Sequence, residues 1–145
     1  MPTLPEAAVI TYDISFNCAQ SVFSAFAARF GMYTRTALKL ASPFGGGIAR
    51  RGEICVTVTG ALLVLGLARG ADQPAGKDRI YQLSQEFMRL FEQKHGTLLC
   101  RELLDCDVST PDGWAKVKET GKSKTICPLL VLDAAEIVQT LLETA

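Results

Sequence analysis

Residues 54 to 68 read ICVTVTGALLVLGLA, fifteen consecutive positions without a charged side chain. A segment that is apolar all round has no face to turn to water, so it is either a membrane span or the centre of a core. A spanning helix needs about 20 apolar residues, and arginines stand close by at Arg50, Arg51 and Arg69. The expectation is a buried helix from about Glu53 to Arg69, stopped by Gly70, and no membrane span. The rest of the chain must then supply apolar stripes to wrap it. With 145 residues, 48% of them hydrophobic, the chain can fill one core and has a common size for one domain, so residues 1–145 read as a single unit.

Those stripes occur at helical spacing almost everywhere. A short first helix follows Pro5 and includes Val9 and Ile10. Asn17 or Ser15 caps a helix whose apolar face is Cys18, Val22, Phe26 and Phe30, with Gly31 as its stop. Thr34 is expected to cap a shorter helix through Leu40, before Pro43. The segment Ala71 to Asp78 reads as a loop. Ile80, Leu83, Phe87, Leu90 and Phe91 then form one face of a long helix ending at Gly96. Arg101 to Leu104 is a helical turn, and Ser109 or Thr110 caps a short helix with Pro111 at its first position, closed by Gly121. A last helix from Pro128 presents Leu130, Ala134, Ile137, Val138 and Leu141. Only Cys55 to Thr59 looks strand-like. The fold class is all-α, a bundle of five to seven helices around the buried one.

Fifteen basic and fifteen acidic residues cancel to zero net charge. Phosphate neutralisation needs clustered surplus Lys and Arg, so nucleic acid is not an expected partner. The N-terminal MPTLPEAAVITYD lacks a basic stretch followed by an apolar one, so no secretory leader is expected and the location is read as cytoplasmic.

Five cysteines are then the chemically informative residues: Cys18, Cys55, Cys100, Cys106 and Cys127. In a reducing compartment such residues serve as small hydrophobes, metal ligands or redox groups rather than structural bridges. Cys127 precedes Pro128, where an N-cap position would favour its thiolate through unpaired N–H groups and the helix dipole. Cys100 and Cys106 bracket the turn RELLD, so their sulfurs can meet or share a ligand. Cys18 and Cys55 lie on apolar helices expected to pack together, and small-hydrophobe packing is the simpler account of both.

Several sharper motifs fail. No C-x-x-C occurs, which removes the thioredoxin-type dithiol and the zinc ribbon. The run Gly47 to Gly52 has phosphate-loop glycine spacing but continues into Glu53 and Ile54 instead of Lys and Ser or Thr. His95, the single histidine, sits in the last turn of a helix, where C-terminal capping explains it. The acidic residues form no pair suited to acid–base work. Gly45, Gly46 and Gly47 admit two readings: a backbone cradle for an anion, cofactor or sulfur, or a tight connection packed under a helix.

The ordered segments NCAQ, FGGGIARRGEICVTVTG, CRELLDCDVSTPDG and ICPLLVLDAAEIV together resemble the C_GCAxxG_C_C family of redox-active proteins, over roughly Ser15 to Leu142. The resemblance implies a small helical domain with four cysteines drawn together for redox or metal chemistry, and an association with transporters in some members. Carried over by position, the four are Cys18, Cys55, Cys100 and Cys127, with Cys106 at a more variable place. The family's C-G-A-x-x-G departs here to Cys55-Val56-Thr57-Val58-Thr59-Gly60, and Ala49 stands where glycine is frequent. Val56 is expected to hinder close approach of a cofactor to the backbone.

Three functions remain open. The four cysteines hold an iron–sulfur cluster or another thiolate-bound metal, which four thiolates suit. Alternatively they form a metal-free dithiol switch that serves a redox partner, with Cys127 attacking and Cys100 or Cys55 resolving. The third is a non-catalytic helical accessory, as a transporter-associated module or a homodimer. No residue pattern names an enzymatic substrate.

Overall fold

Reciprocal caps start the first two helices. The Thr3 hydroxyl accepts the Glu6 N–H at 3.2 Å while the Thr3 N–H donates to the Glu6 carboxylate at 2.9 Å, which opens α1 (Leu4–Asp13). Asn17 and Gln20 repeat the arrangement at 2.8 and 3.0 Å, opening α2 (Cys18–Ala27). The computed structural model describes residues 1–144. Its further helices are α3 (Thr34–Ala41), α4 (Val56–Arg69), α5 (Lys77–His95), α6 (Cys100–Leu103), α7 (Pro111–Glu119), α8 (Lys122–Thr125) and α9 (Cys127–Thr144). The fold is all-α, as the periodicity predicts. Ile54 and Leu99 form an isolated antiparallel bridge.

Helix α4 lies against α2, α5 and α9, and α1 spans α2 and α9. Val56, Val58, Ala61, Val64 and Leu65 are buried along α4, meeting Phe87 and Phe91 of α5, both fully buried. Helices α2 and α4 approach closely at Gly60: a Cβ there would stand 2.9 Å from the Ala19 carbonyl oxygen and 3.0 Å from its Cα. Gly60 lets α2 and α4 touch backbone to backbone, so its role is packing.

Several boundaries shift from the sequence expectation. The buried helix begins at Val56, not Glu53, and Cys55 is its N-cap. The upstream residues are engaged elsewhere: Cys55 N–H donates to Leu98 O at 2.7 Å, and Glu53 O accepts the Cys100 N–H at 2.7 Å. Cys55 to Thr59 contains no strand; β-branched residues there are held helical by burial. Tyr33 rather than Thr34 caps α3, and the Ala71–Asp78 loop contains a 3-10 turn at Pro74–Gly76. Thr110 caps α7, accepting the Gly113 N–H at 3.0 Å.

The continuous stretch Lys122–Thr144 is long and apolar enough to cross a membrane by length and composition, the one such stretch among the described residues. It packs on α1, α2, α4 and α5, with Leu130, Val131, Ala134, Ala135 and Val138 buried, and about 33% of its apolar window lies inside the fold. His95 stands in the last turn of α5 as expected, but its ring is turned to α9 instead of capping its own helix: Nε2 lies 3.0 Å from Asp133 Oδ2 and the ring is 4.6 Å from Phe91, while Gly96 ends the helix.

Candidate functional site

Cys18, Cys55, Cys100 and Cys127 line one cavity of about 990 Å³, although they come from four segments far apart in sequence. Three local devices bring them there. The Asn17 cap starts α2 at Cys18. The Ile54–Leu99 bridge ties the start of α4 to the start of α6, so Cys55 and Cys100 arrive together. The turn from Tyr12 at the end of α1 fixes the break before α9: its hydroxyl donates to the Ser123 carbonyl at 2.7 Å.

The three glycines are packed between these devices. A Cβ on Gly45 would meet Asn17 at 3.1 Å, and one on Gly47 would meet the Cys100 Cβ at 2.8 Å and Glu53 N at 2.7 Å. Gly46, Gly47, Ile48, Ala49 and Arg50 all carry φ between 49° and 69°, one turn of left-handed backbone. Its carbonyls stay inside the turn, Gly45 O accepting from Arg50, Gly46 O from Gly52 and Gly47 O from Glu53. Left-handed residues with a Cβ cost roughly 1–2 kcal/mol each. Of the two sequence readings, the tight connection describes Gly45 and Gly47, which are wedged against the residue before Cys18 and against Cys100. All three also line the cavity.

Every cysteine is free, and Cys18 alone is not fully buried. The Cys127 thiol is held below its usual range because the Cys18 thiol hydrogen-bonds to it, with the Tyr12 hydroxyl adding to the effect and burial opposing it. Cys18 moves the other way. It is raised, first by its interaction with the Cys127 sulfur, and burial and the neighbouring Cys127 charge add to that. Tyr12 is pushed above its usual range by burial and then by the charges of Cys18 and Cys127, so its hydroxyl stays a donor. Cys100 is pushed up to about 12 by burial, with Cys55 and Cys127 nearby. Cys55 is raised by burial, against a contact at 3.1 Å between its sulfur and the Thr57 hydroxyl.

The helix-dipole argument for Cys127 needs correction. Cys127 is the first residue of α9, not its cap, because Ile126 is already in helical conformation and α8 runs almost directly into α9. The Ile126 carbonyl accepts the Leu130 N–H at 3.1 Å. The bias toward thiolate comes from Cys18 and Tyr12 instead. Cys106 shares an apolar cluster with Cys100 and Cys127 but does not line the cavity. Lys122 Nζ lies 3.7 Å from its sulfur and donates to Leu104 O at 2.6 Å.

A resident metal is tested by the donor set. Among the described residues no group of three or more Cys, His, Asp or Glu side chains is arranged to hold a metal ion. The four thiols share one cavity, yet as they stand they do not fit a metal centre that requires them around one point. Val56 is buried and lines the same cavity.

Tyr12 and Thr57 were not singled out by sequence reasoning. Thr57 carries a weak signal, a polar residue inside an apolar helix two positions after a cysteine. Tyr12 carries none, since its partner Ser123 lies 111 positions away.

The family model described as "Putative redox-active protein (C_GCAxxG_C_C)" matches residues 16–141. No curated protein matches the chain, and neither does any solved structure. With the match covering nearly the whole chain and four of its five cysteines gathered on one cavity, the protein belongs to the C_GCAxxG_C_C family of redox-active proteins.

Proposed function

We propose that the protein is a dithiol–disulfide redox carrier in which Cys127 attacks and Cys18 resolves. The observation that carries this is that Cys18 and Cys127 line one cavity and bias each other's thiols in opposite directions, Cys127 down and Cys18 up, beside a tyrosine hydroxyl that stays protonated. A thiolate is the nucleophile in thiol exchange, and one thiol's proton must be held close for the second step. Cys18 replaces Cys100 and Cys55, the resolving residues favoured by sequence, since Cys18 is the thiol that acts first on Cys127, and neither Cys100 nor Cys55 contributes to its bias.

The Cys127 thiolate attacks one sulfur of a partner disulfide. That S–S bond breaks, and the other sulfur leaves as a thiolate and takes a proton from water. Once Cys127 is bonded to the partner, it no longer carries the charge that kept the proton on Cys18. Cys18 then attacks the Cys127 sulfur, the Cys127–partner S–S bond breaks, and the Cys18 proton passes to the partner's second sulfur, which leaves as a thiol. Two electrons pass to the partner and a Cys18–Cys127 disulfide forms.

The iron–sulfur or other thiolate-metal reading is supported by the convergence of four cysteines on one cavity and opposed by their arrangement, so no step is routed through a metal. A cytoplasmic location belongs to the proposal, supported by five free thiols, the state a reducing compartment maintains. The redox partner remains part of the proposal. The transporter-associated and homodimeric accessory readings have no specific support in the site.

The test is disulfide mapping after oxidation of anaerobically purified protein. A reversible Cys18–Cys127 bond is expected, lost in Cys127→Ser and Cys18→Ser and kept in Cys106→Ser. Persistence of reversible disulfide formation in Cys127→Ser overturns the assignment. Stoichiometric iron in the same preparation would favour the metal reading over it.

A further inference from the structure

We propose that the thiol cavity takes a small anionic disulfide, one carrying carboxylates or comparable negative groups close to its sulfurs. This rests on the dithiol reading of Cys18 and Cys127 and specifies the substrate class of that site.

A second cavity of about 620 Å³ adjoins the first, the two sharing Ala49, Arg50, Val108 and Trp114 in their walls. Together they bring Arg50, Arg51, Arg101, Lys118 and Lys124 around the path to the sulfurs, against Asp13 and Glu53. The whole chain is neutral, so this region concentrates positive charge that the remaining surface offsets. Glu53 is already engaged by Arg51 at 3.6 Å. Neither Arg50 nor Arg101 forms an ion pair among the described residues. The nearby Asp107 carboxylate is turned to the Ser109 hydroxyl and N–H, and Arg101 influences it only weakly.

Arg50 is also held in place. It ends the left-handed turn with φ 61°, and its guanidinium sits 4.4 Å over the Trp114 ring, with the Lys118 ammonium at 5.1 Å from the same ring. A guanidinium stacked on an aromatic face keeps its N–H edge free for a carboxylate. The strained turn therefore does two things: it wedges Gly47 against Cys100, and it places Arg50 where the two cavities meet. A cleft lined by one sign of charge raises the local concentration and encounter rate of oppositely charged ligands. Cavities of this size suit a small molecule.

The reaction is the exchange described above with the anionic disulfide as oxidant. One substrate S–S bond is broken, two substrate thiols are released, and the Cys18–Cys127 bond is formed.

The test uses three near-isosteric disulfides on the reduced full chain: dithiodipropionate (anionic), hydroxyethyl disulfide (neutral) and cystamine (cationic). Each rate is divided by that with a free small thiol at the same pH, which removes intrinsic reactivity. The expected order is anionic, then neutral, then cationic, with about a tenfold span at low salt that shrinks at high salt. Arg50→Gln combined with Arg101→Gln should reduce the anionic preference several-fold, and Arg50→Lys with native Arg101 should retain most of it. Equal normalised rates, or a cationic preference, would overturn this inference while leaving the dithiol reading intact. Failure of all three to form the Cys18–Cys127 bond would overturn the dithiol reading itself.

Discussion

Gly60→Ala isolates the helix contact on which the site is built. The new Cβ would stand 2.9 Å from the Ala19 carbonyl oxygen, 3.0 Å from the Ala19 Cα and 3.2 Å from the Val22 Cβ. Two of these are backbone atoms, so the strain cannot be relieved by turning a side chain and α2 must move off α4. Overpacking of this kind costs about 1–3 kcal/mol. Alanine recovers about 1 kcal/mol in helix propensity, which leaves a net loss of up to about 2 kcal/mol, toward the upper end because the clash is with backbone. Gly66 lies on the same helix with nothing within 4 Å of its would-be Cβ, so Gly66→Ala receives the propensity gain without the clash. Thermal unfolding of the two reduced variants, followed by far-ultraviolet circular dichroism, should put Gly60→Ala about 3–6 °C below the native chain and Gly66→Ala at or slightly above it. Because Cys18 directly precedes Ala19, Gly60→Ala should also slow formation of the Cys18–Cys127 bond. Equal melting temperatures for the two variants would refute the close-approach account of Gly60.

Other predictions follow from the site. Tyr12→Phe removes the hydroxyl that donates to Ser123 O and helps hold the Cys127 thiol below its usual range; the pH midpoint of Cys127 alkylation should rise and its rate at neutral pH fall several-fold, and an unchanged profile would exclude Tyr12 from thiolate stabilisation. Cys100 carries a folded-state pKa raised from 9.0 to about 12, so folding favours its protonated form. That contribution is complete below about pH 9 and is lost as pH rises toward 12, and denaturant titrations should show a shallower alkaline loss of stability in Cys100→Ala. Ala49→Gly relieves a left-handed residue at φ 49° and should stabilise by about 1 kcal/mol, read as a higher denaturation midpoint; a lower midpoint would contradict the left-handed turn. Asn17→Ala removes the cap from α2 and should cost about 1 kcal/mol, with a smaller share of Cys18–Cys127 bond formed per unit time.

Much of the helical architecture was legible because its causes are local. The Asn17 and Thr110 caps, the left-handed stop at Gly31 after the 3-10 turn Ala28–Phe30 that continues α2, and the Phe87 and Phe91 face of α5 depend on residues within a turn or two of each other. Boundaries failed where a distant partner intervened. The buried helix starts three residues late because Glu53 and Cys55 pair with the segment around Leu98 and Cys100, a competition that helical periodicity cannot register. Cys127 was expected to gain its thiolate character from a helix end; α8 fills that position, and Cys18 and Tyr12 act instead.

The sequence by itself determined an all-α chain, the segment that must lie at its centre, and the cysteines worth following. Apolar periodicity, capping and residue chemistry are carried by neighbouring positions, so they survive without a fold. Only the tertiary structure decided which thiols meet, since Cys18, Cys55, Cys100 and Cys127 reach one cavity through contacts between elements far apart in the chain. It also separated Cys106 from that cavity and brought Tyr12 to Ser123 across 111 positions. The left-handed turn from Gly46 to Arg50 belongs with these. Ile48, Ala49 and Arg50 do not prefer that backbone, and packing against Asn17, Cys100 and Trp114 holds it in place.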